Sequence, residues 1–87
     1  MTKDLTIQNR LGLHARPSAM LVKICNRFQC EVWVEKDGER VNGKSIMGLM
    51  MLAAGLGSCL RVTCEGVDEA RAMEEIEKLL VNKFNEE

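Results

Sequence analysis

Aromatic residues are scarce in this chain of 87 residues, where they make up 3% and where tyrosine is absent. The three aromatic residues are Phe28, Trp33 and Phe84. A core with so few rings must be aliphatic, with methionine and cysteine filling the gaps. Hydrophobic residues still account for 46% of the chain, which suits a folded globule rather than a disordered segment. At this length the composition predicts a single domain over residues 1–87.

An excess of positive charge is also missing, since the formal net charge is −1. A protein whose main partner is a nucleic acid normally offers a basic face to the phosphates, so we expect no such partner. Long apolar runs are missing as well. The uncharged stretch over residues 46–59 is shorter than the roughly 18–20 residues of a membrane span. The first residues lack the apolar stretch of a signal peptide. We therefore expect a cytoplasmic protein that does not insert into membranes.

The cysteines lack the spacing of a zinc or redox motif. Cys25, Cys30, Cys59 and Cys64 contain no C-x-x-C pair. In a strand over residues 59–65, Cys59 and Cys64 would point to opposite faces, which makes them poor co-ligands. The sequence therefore predicts free thiols, no bound metal and no cofactor.

Two periodicities divide the chain into short elements. Alternation of apolar and polar residues predicts four strands, over residues 2–8, 30–35, 39–43 and 59–65. Helical spacing predicts three helices, over residues 16–27, over residues 46–52 and from Asp68 to the region of Phe84. The order β-α-β-β-α-β-α, with mostly two-faced strands, predicts an antiparallel sheet with one face covered by helices. This pattern alone does not separate such a fold from a ferredoxin-like one.

Polar and glycine residues mark the ends of the predicted helices. Ser45 is predicted to cap the second helix, because its hydroxyl can accept a hydrogen bond from a free backbone N–H. Gly55 and Gly57 are predicted to end that helix. Asp68 is predicted to cap the third helix, and Phe84 to continue its apolar stripe.

His14 is the only histidine, and it lies between a glycine-containing loop and a helix start. The first turn of a helix presents unpaired N–H groups and the positive end of the dipole to an anion. The amides of Ala15 and Arg16 are available there, and the Arg16 guanidinium can donate to phosphate oxygens as a planar fork. These residue types suit phosphoryl transfer. By spacing alone, His14 is equally well a helix cap or a loop residue.

The segment after Ser45 is too apolar for a short helix with one buried face. Its large apolar residues are Ile46, Met47, Leu49, Met50, Met51 and Leu52. Some of them must be exposed unless loose packing hides them, and exposed methionines are typical of adaptable docking surfaces. We predict a docking surface that includes Ile46, Met47 and Met50.

Two segments resemble signatures of a known family. Residues 12–17 (Gly-Leu-His-Ala-Arg-Pro) resemble the active-site signature of HPr, the histidine-containing phosphocarrier family of the bacterial sugar phosphotransferase system. Residues 42–48 (Asn-Gly-Lys-Ser-Ile-Met-Gly) resemble its second signature, around a regulatory serine. Their separation also matches, and the similarity extends over nearly the whole chain. The resemblance implies an α+β fold, an open-faced β-sandwich with a four-stranded antiparallel sheet covered on one face by three helices.

The resemblance also implies a function, that of a phosphoryl carrier rather than a turnover enzyme. Enzyme I, charged by phosphoenolpyruvate, would place a phosphoryl group on Nδ1 of His14, and a IIA domain of a sugar permease would receive it. Arg16 and the backbone amide of Ala15 would steady the group. Ser45 would be the target of a serine kinase/phosphorylase, and its phosphate would weaken docking of enzyme I to the neighbouring methionines. We expect a monomer.

Two alternatives to this function stay open. The carrier could serve the nitrogen-related branch of the system, with a different enzyme I and a different IIA partner, although the intact signature around Ser45 argues against this. The chain could instead be an interaction module that binds a transcription regulator when Ser45 is phosphorylated. His14 would then be incidental.

Overall fold

Seven regular elements follow one another in the order predicted from the sequence. The structure is a computed structural model and describes residues 1–86. Its strands are β1 (Thr2–Thr6), β2 (Glu31–Lys36), β3 (Glu39–Asn42) and β4 (Cys59–Glu65). Its helices are α1 (Ala15–Cys25), α2 (Ile46–Met51) and α3 (Glu69–Val81). A short turn over Lys83–Asn85, the C-terminal turn, follows α3.

The four strands form one antiparallel sheet in the order β1-β4-β2-β3. Strand β4 lies between β1 and β2, so that Val62 is paired with Lys3 on one side and with Val34 on the other. In a ferredoxin-like fold, β3 would take this place. The strand order therefore confirms the α+β open-faced sandwich and excludes the ferredoxin-like alternative.

The core lies between the helices and one face of the sheet, and it is aliphatic as predicted. Leu60, Val62 and Cys64 alternate along β4 as buried residues, while the residues between them face outward. Among the three aromatic residues only Phe84 is fully buried. Trp33 lies on the open face, where the Arg40 guanidinium is 4.7 Å from its ring centroid.

The open face of the sheet carries a row of charges with alternating sign. Across the strands the row runs from Arg40 to Glu35, then to Arg61 and Asp4. Arg61 Nε donates to Asp4 Oδ1 at 3.2 Å. Opposite charges on facing residues of neighbouring strands stabilise the pairing by a few tenths of a kcal/mol each. The row also explains why this face needs no helical cover.

The helix ends differ from the sequence predictions at three places. Asp68 occupies the N-cap position of α3, but its side chain makes no capping bond. Its carboxylate instead accepts hydrogen bonds from the backbone amides of Gln29 and Cys30 at 2.9 and 3.0 Å, because the loop before β2 packs against it. Helix α2 ends at Met51, and Ala53 (φ +50°) takes the left-handed conformation before Gly55 and Gly57 are reached.

The third difference concerns Phe84. Helix α3 ends at Val81, so Phe84 does not continue its stripe. The C-terminal turn is left-handed, with φ values of 54°, 55° and 59° at Lys83, Phe84 and Asn85. This turn directs the Phe84 ring back into the core, where it is fully buried. The prediction of burial was correct, and the prediction of a continuous helix was wrong.

Candidate functional site

His14 occupies the N-cap position of α1. Its backbone is extended (φ −79°, ψ −171°), and its ring makes no capping hydrogen bond. The first helical bond runs from the Ser18 amide to the His14 carbonyl oxygen at 3.0 Å. Pro17 has no N–H, so the amides of Ala15 and Arg16 are the ones left without an acceptor in the first turn of α1. These are the two amides that the sequence predicts to be available to an anion.

The imidazole of His14 contacts a carboxylate from the other end of the chain. Its Nε2 lies 2.8 Å from Oε2 of Glu86, and 37% of the His14 side chain is exposed. Glu86 is not among the site residues predicted from the sequence. No local pattern could reveal it, because 72 positions separate the two residues and only the packing of the C-terminal turn brings them together.

The Glu86 carboxylate is itself held in place by Asn9. The Asn9 side-chain amide donates to Glu86 Oε1 at 2.9 Å and to the carbonyl oxygen of Gly12 at 2.8 Å. Asn9 is fully buried, so this link is shielded from water. The Asn9 hydrogen bond, together with the His14 imidazole and the nearby Arg16 guanidinium, holds the pKa of Glu86 below its usual value, although desolvation opposes this.

Arg16 lies on the exposed side of α1, where it lines an open surface pocket. This open pocket has a volume of about 590 Å³, and its lining includes Arg10, Arg16 and Glu86. A smaller pocket of about 260 Å³ is lined by His14 together with residues 53–55. The site therefore joins the start of α1, the end of the chain and the segment after α2.

Ser45 caps α2 as predicted. Its Oγ accepts a hydrogen bond from the Gly48 amide at 3.0 Å, and its backbone is extended (φ −119°, ψ 115°). The side chain is partly exposed at the positive end of the helix.

The apolar residues of α2 divide into a buried and an exposed group. Leu49 and Leu52 are buried in the core. The exposed group, together with apolar residues of two neighbouring loops, forms what we term the apolar surface: Leu11, Ile46, Met47, Met50, Met51 and Leu56. Met47 is 75% exposed, which confirms that the sequence places more apolar residues here than the core can accept. Leu11 also borders the His14 pocket, so the apolar surface begins next to the histidine.

The cysteines are free thiols in different environments. Cys59 is exposed and Cys64 is buried, in agreement with their predicted positions on opposite faces of β4. Burial raises the pKa of both Cys25 and Cys64 to about 12. Within residues 1–86, no group of three or more histidine, cysteine or acidic side chains could hold a metal ion. Over the same range, no helix is both long and apolar enough to cross a membrane.

Known proteins share this sequence and this fold. A family model described as the PTS HPr component phosphorylation site matches residues 1–82. The chain is 47% identical over 87 residues to the phosphocarrier protein HPr of Treponema pallidum (strain Nichols), and the match covers 100% of this chain and 99% of that protein.

Two solved structures from Thermoanaerobacter tengcongensis are similar. One, described as HPr-C-His, has a TM-score of 0.96 at 41% identity and covers 100% of this chain and 98% of that chain. The other, described as an HPr dimer, has a TM-score of 0.80 at 42% identity and covers 97% of this chain and 99% of that chain. The protein described here therefore belongs to the HPr family, the phosphocarrier proteins of the phosphotransferase system, which are not turnover catalysts.

Proposed function

We propose that this protein is a cytoplasmic phosphocarrier that accepts a phosphoryl group on His14 from phosphorylated enzyme I. It then donates the group to IIA domains of sugar permeases. The observation that carries the proposal is the setting of the single histidine. His14 is partly exposed at the start of α1, next to two amides without acceptors, and it borders the apolar surface. A phosphorylated partner that docks on this surface would bring its phosphorus atom to the ring.

The proposed reaction is an in-line displacement at phosphorus. The lone pair of Nδ1 forms the new bond to phosphorus as the bond to enzyme I breaks, and the second transfer, to a IIA domain, reverses these roles at His14. The amides of Ala15 and Arg16 would donate to the phosphoryl oxygens, as helix N-termini do for phosphate groups. The Arg16 guanidinium would add a bidentate, charge-assisted contact. Such transfer depends on positioning and charge stabilisation more than on covalent chemistry by the protein.

Ser45 is the proposed site of regulation by a serine kinase/phosphorylase. A phosphate on its Oγ would lie at the positive end of α2, so the helix would tolerate it. The same phosphate would place about two negative charges beside Ile46, Met47 and Met50, the proposed docking residues. Docking of enzyme I would weaken through desolvation and repulsion, while the fold would stay intact.

Incubation with phosphoenolpyruvate and enzyme I tests the proposal. The wild-type protein should acquire an acid-labile phosphoryl group, and His14→Ala should acquire none while keeping its circular dichroism spectrum. An unlabelled wild type, or label that survives in His14→Ala, would contradict the proposal. The rates of phosphorylation by enzyme I of the sugar branch and by enzyme I of the nitrogen-related branch decide which branch this carrier serves.

We also propose that the carrier is a monomer. Light scattering tests this proposal, since one similar structure is a dimer.

A further inference from the structure

The contact between His14 and Glu86 has a chemical consequence for the imidazole. A carboxylate can only accept hydrogen bonds, so the ring nitrogen that lies 2.8 Å from Glu86 Oε2 must carry a hydrogen. In neutral imidazole one nitrogen carries the hydrogen and the other keeps its lone pair. With the hydrogen on Nε2, the lone pair lies on Nδ1.

We infer that Glu86 is a positioning residue, which holds the imidazole of His14 with its hydrogen on Nε2 and its lone pair on Nδ1. The inference rests on the proposed function, because it concerns the nitrogen that would attack phosphorus. A buried carboxylate that fixes the tautomer of a reactive histidine has the same role in hydrolytic triads. Here the carboxylate is supplied by the last turn of the chain.

The structure holds this carboxylate in place by more than one contact. The amide of Asn9 fixes the second carboxylate oxygen, Oε1, from a fully buried position. The backbone of Glu86 donates to the carbonyl oxygen of Lys83 at 3.0 Å, which closes the C-terminal turn. The buried ring of Phe84 anchors that turn in the core. Glu86 is thus held by a backbone hydrogen bond, by a side-chain hydrogen bond and by the anchored turn that precedes it.

The left-handed conformation of the C-terminal turn supports the same assignment. Three consecutive residues without glycine have φ between 54° and 59°. Side chains disfavour this region because Cβ approaches the backbone carbonyl, and residues rarely adopt it in succession. A right-handed continuation of α3 would lead the chain away along the helix axis. The left-handed turn instead directs Glu86 toward the start of α1.

A hydrogen on Nε2 serves both proposed transfers. When His14 accepts the phosphoryl group, Nδ1 already has a free lone pair and no proton must leave it. When His14 donates the group, the electron pair of the broken bond between Nδ1 and phosphorus returns to Nδ1. The product is neutral imidazole, because Nε2 keeps its hydrogen. Without that hydrogen the leaving group would be an imidazolate anion. Arg16, which is close enough to influence Glu86 electrostatically, offsets the carboxylate charge near the incoming phosphoryl group.

Nuclear magnetic resonance can read the tautomer directly, because His14 is the only histidine. The protein is labelled with ¹⁵N-histidine, and long-range ¹H–¹⁵N correlation spectra are recorded at a pH where the ring is neutral. The wild type should show the Nε2–H form alone. Glu86→Ala should show a mixture with measurable Nδ1–H, and Glu86→Gln, whose amide oxygen can still accept, should lie between them. Glu74→Ala removes an equal charge from an exposed face of α3 and should match the wild type.

Transfer kinetics provide the second readout. Glu86→Ala should lower kcat for phosphorylation by enzyme I about tenfold, the low end of the loss found when a metal-ligating histidine loses its hydrogen-bond partner. Its KM should stay near that of Glu74→Ala, because Glu86 is not part of the apolar surface. The inference is overturned if Glu86→Ala keeps the wild-type tautomer, or if it transfers as fast as Glu74→Ala. If the wild type accepts no phosphoryl group, the proposed function fails, and the spectra still decide what Glu86 does to the ring.

Discussion

The backbone N–H of Leu13 donates to the carbonyl oxygen of Ala54 at 2.8 Å, which ties the loop before His14 to the segment after α2. Gly12 directly precedes Leu13, and its left-handed backbone (φ +70°) turns the chain before His14. The first signature, residues 12–17, is therefore in direct contact with the segment that follows α2. A change in the segment after α2 can reach His14 through this backbone contact.

Replacement of Gly12 by alanine tests how tightly this contact is packed. A Cβ at Gly12 would lie 2.3 Å from the Ala54 carbonyl oxygen, and backbone atoms cannot move aside as a flexible side chain can. Gly38 is the matched control, since its φ of +84° is also left-handed but no atom lies within 4 Å of its added Cβ.

We expect Gly38→Ala to lower the free energy of unfolding by about 1–2 kcal/mol, the cost of left-handed backbone for a residue with a Cβ. Gly12→Ala should cost about 1–3 kcal/mol more, because overpacking adds to that cost. Urea denaturation of both variants gives the difference. Equal losses would show that the contact between Gly12 and Ala54 relaxes easily.

Ser45 variants separate the role of the cap from the role of charge. Ser45→Ala removes the acceptor for the Gly48 amide and should lower the free energy of unfolding by about 1 kcal/mol. Ser45→Asp keeps a capping oxygen and should remain close to wild-type stability. Because Ser45→Asp places a negative charge beside Met47, it should raise the KM of enzyme I for this protein as phosphoryl acceptor. An unchanged KM for Ser45→Asp would contradict the proposed docking surface.

Arg16 and Arg10 form a second matched pair, since both line the same open pocket. Arg16→Ala should fold with a near-normal melting temperature, because the side chain is exposed, and should lose transfer by about a hundredfold or more. Arg16→Lys keeps the charge without the planar fork and should recover only part of the rate. Arg10→Ala should transfer at a rate close to that of the wild type. A large fall in the melting temperature of Arg16→Ala would identify a structural residue instead.

The stability of the protein should fall in acid. Hydrogen bonds from the amides of Gln29 and Cys30 hold the pKa of Asp68 below its usual value of 3.8. The contacts to Asn9 and His14 likewise hold the pKa of Glu86 below 4.5. Between the lowered and the usual values the unfolded chain binds more protons than the folded protein. Both contributions are therefore complete above about pH 4.5 and are lost as the pH falls through the lowered values.

Urea midpoints measured from pH 7 to pH 3 check this dependence. Asp68→Asn should be less stable than the wild type at pH 7, and the difference should shrink toward pH 3 as the wild-type carboxylate becomes protonated. A difference that is independent of pH would mean that the hydrogen bonds to Gln29 and Cys30 do not depend on the charge of Asp68.

Local patterns in the sequence were sufficient for most of the elements. The alternation of Leu60, Val62 and Cys64 depends only on the two-residue period of a strand, and the Ser45 cap depends on an amide three residues away. Such signals depend on neighbours along the chain, so they persist in the fold. The position of His14 at the start of α1 is of the same kind.

What the sequence by itself determined is the set of elements, the aliphatic core, the histidine at a helix start and the excess of apolar residues after Ser45. Only the tertiary structure decided that β4 lies between β1 and β2, that Asp68 binds the loop before β2, and that Glu86 meets His14. Residues 29 and 68, like residues 14 and 86, are joined by hydrogen bonds over long separations in sequence. Their contacts arise from the closure of the whole chain around one core, and no spacing between neighbouring residues can encode them.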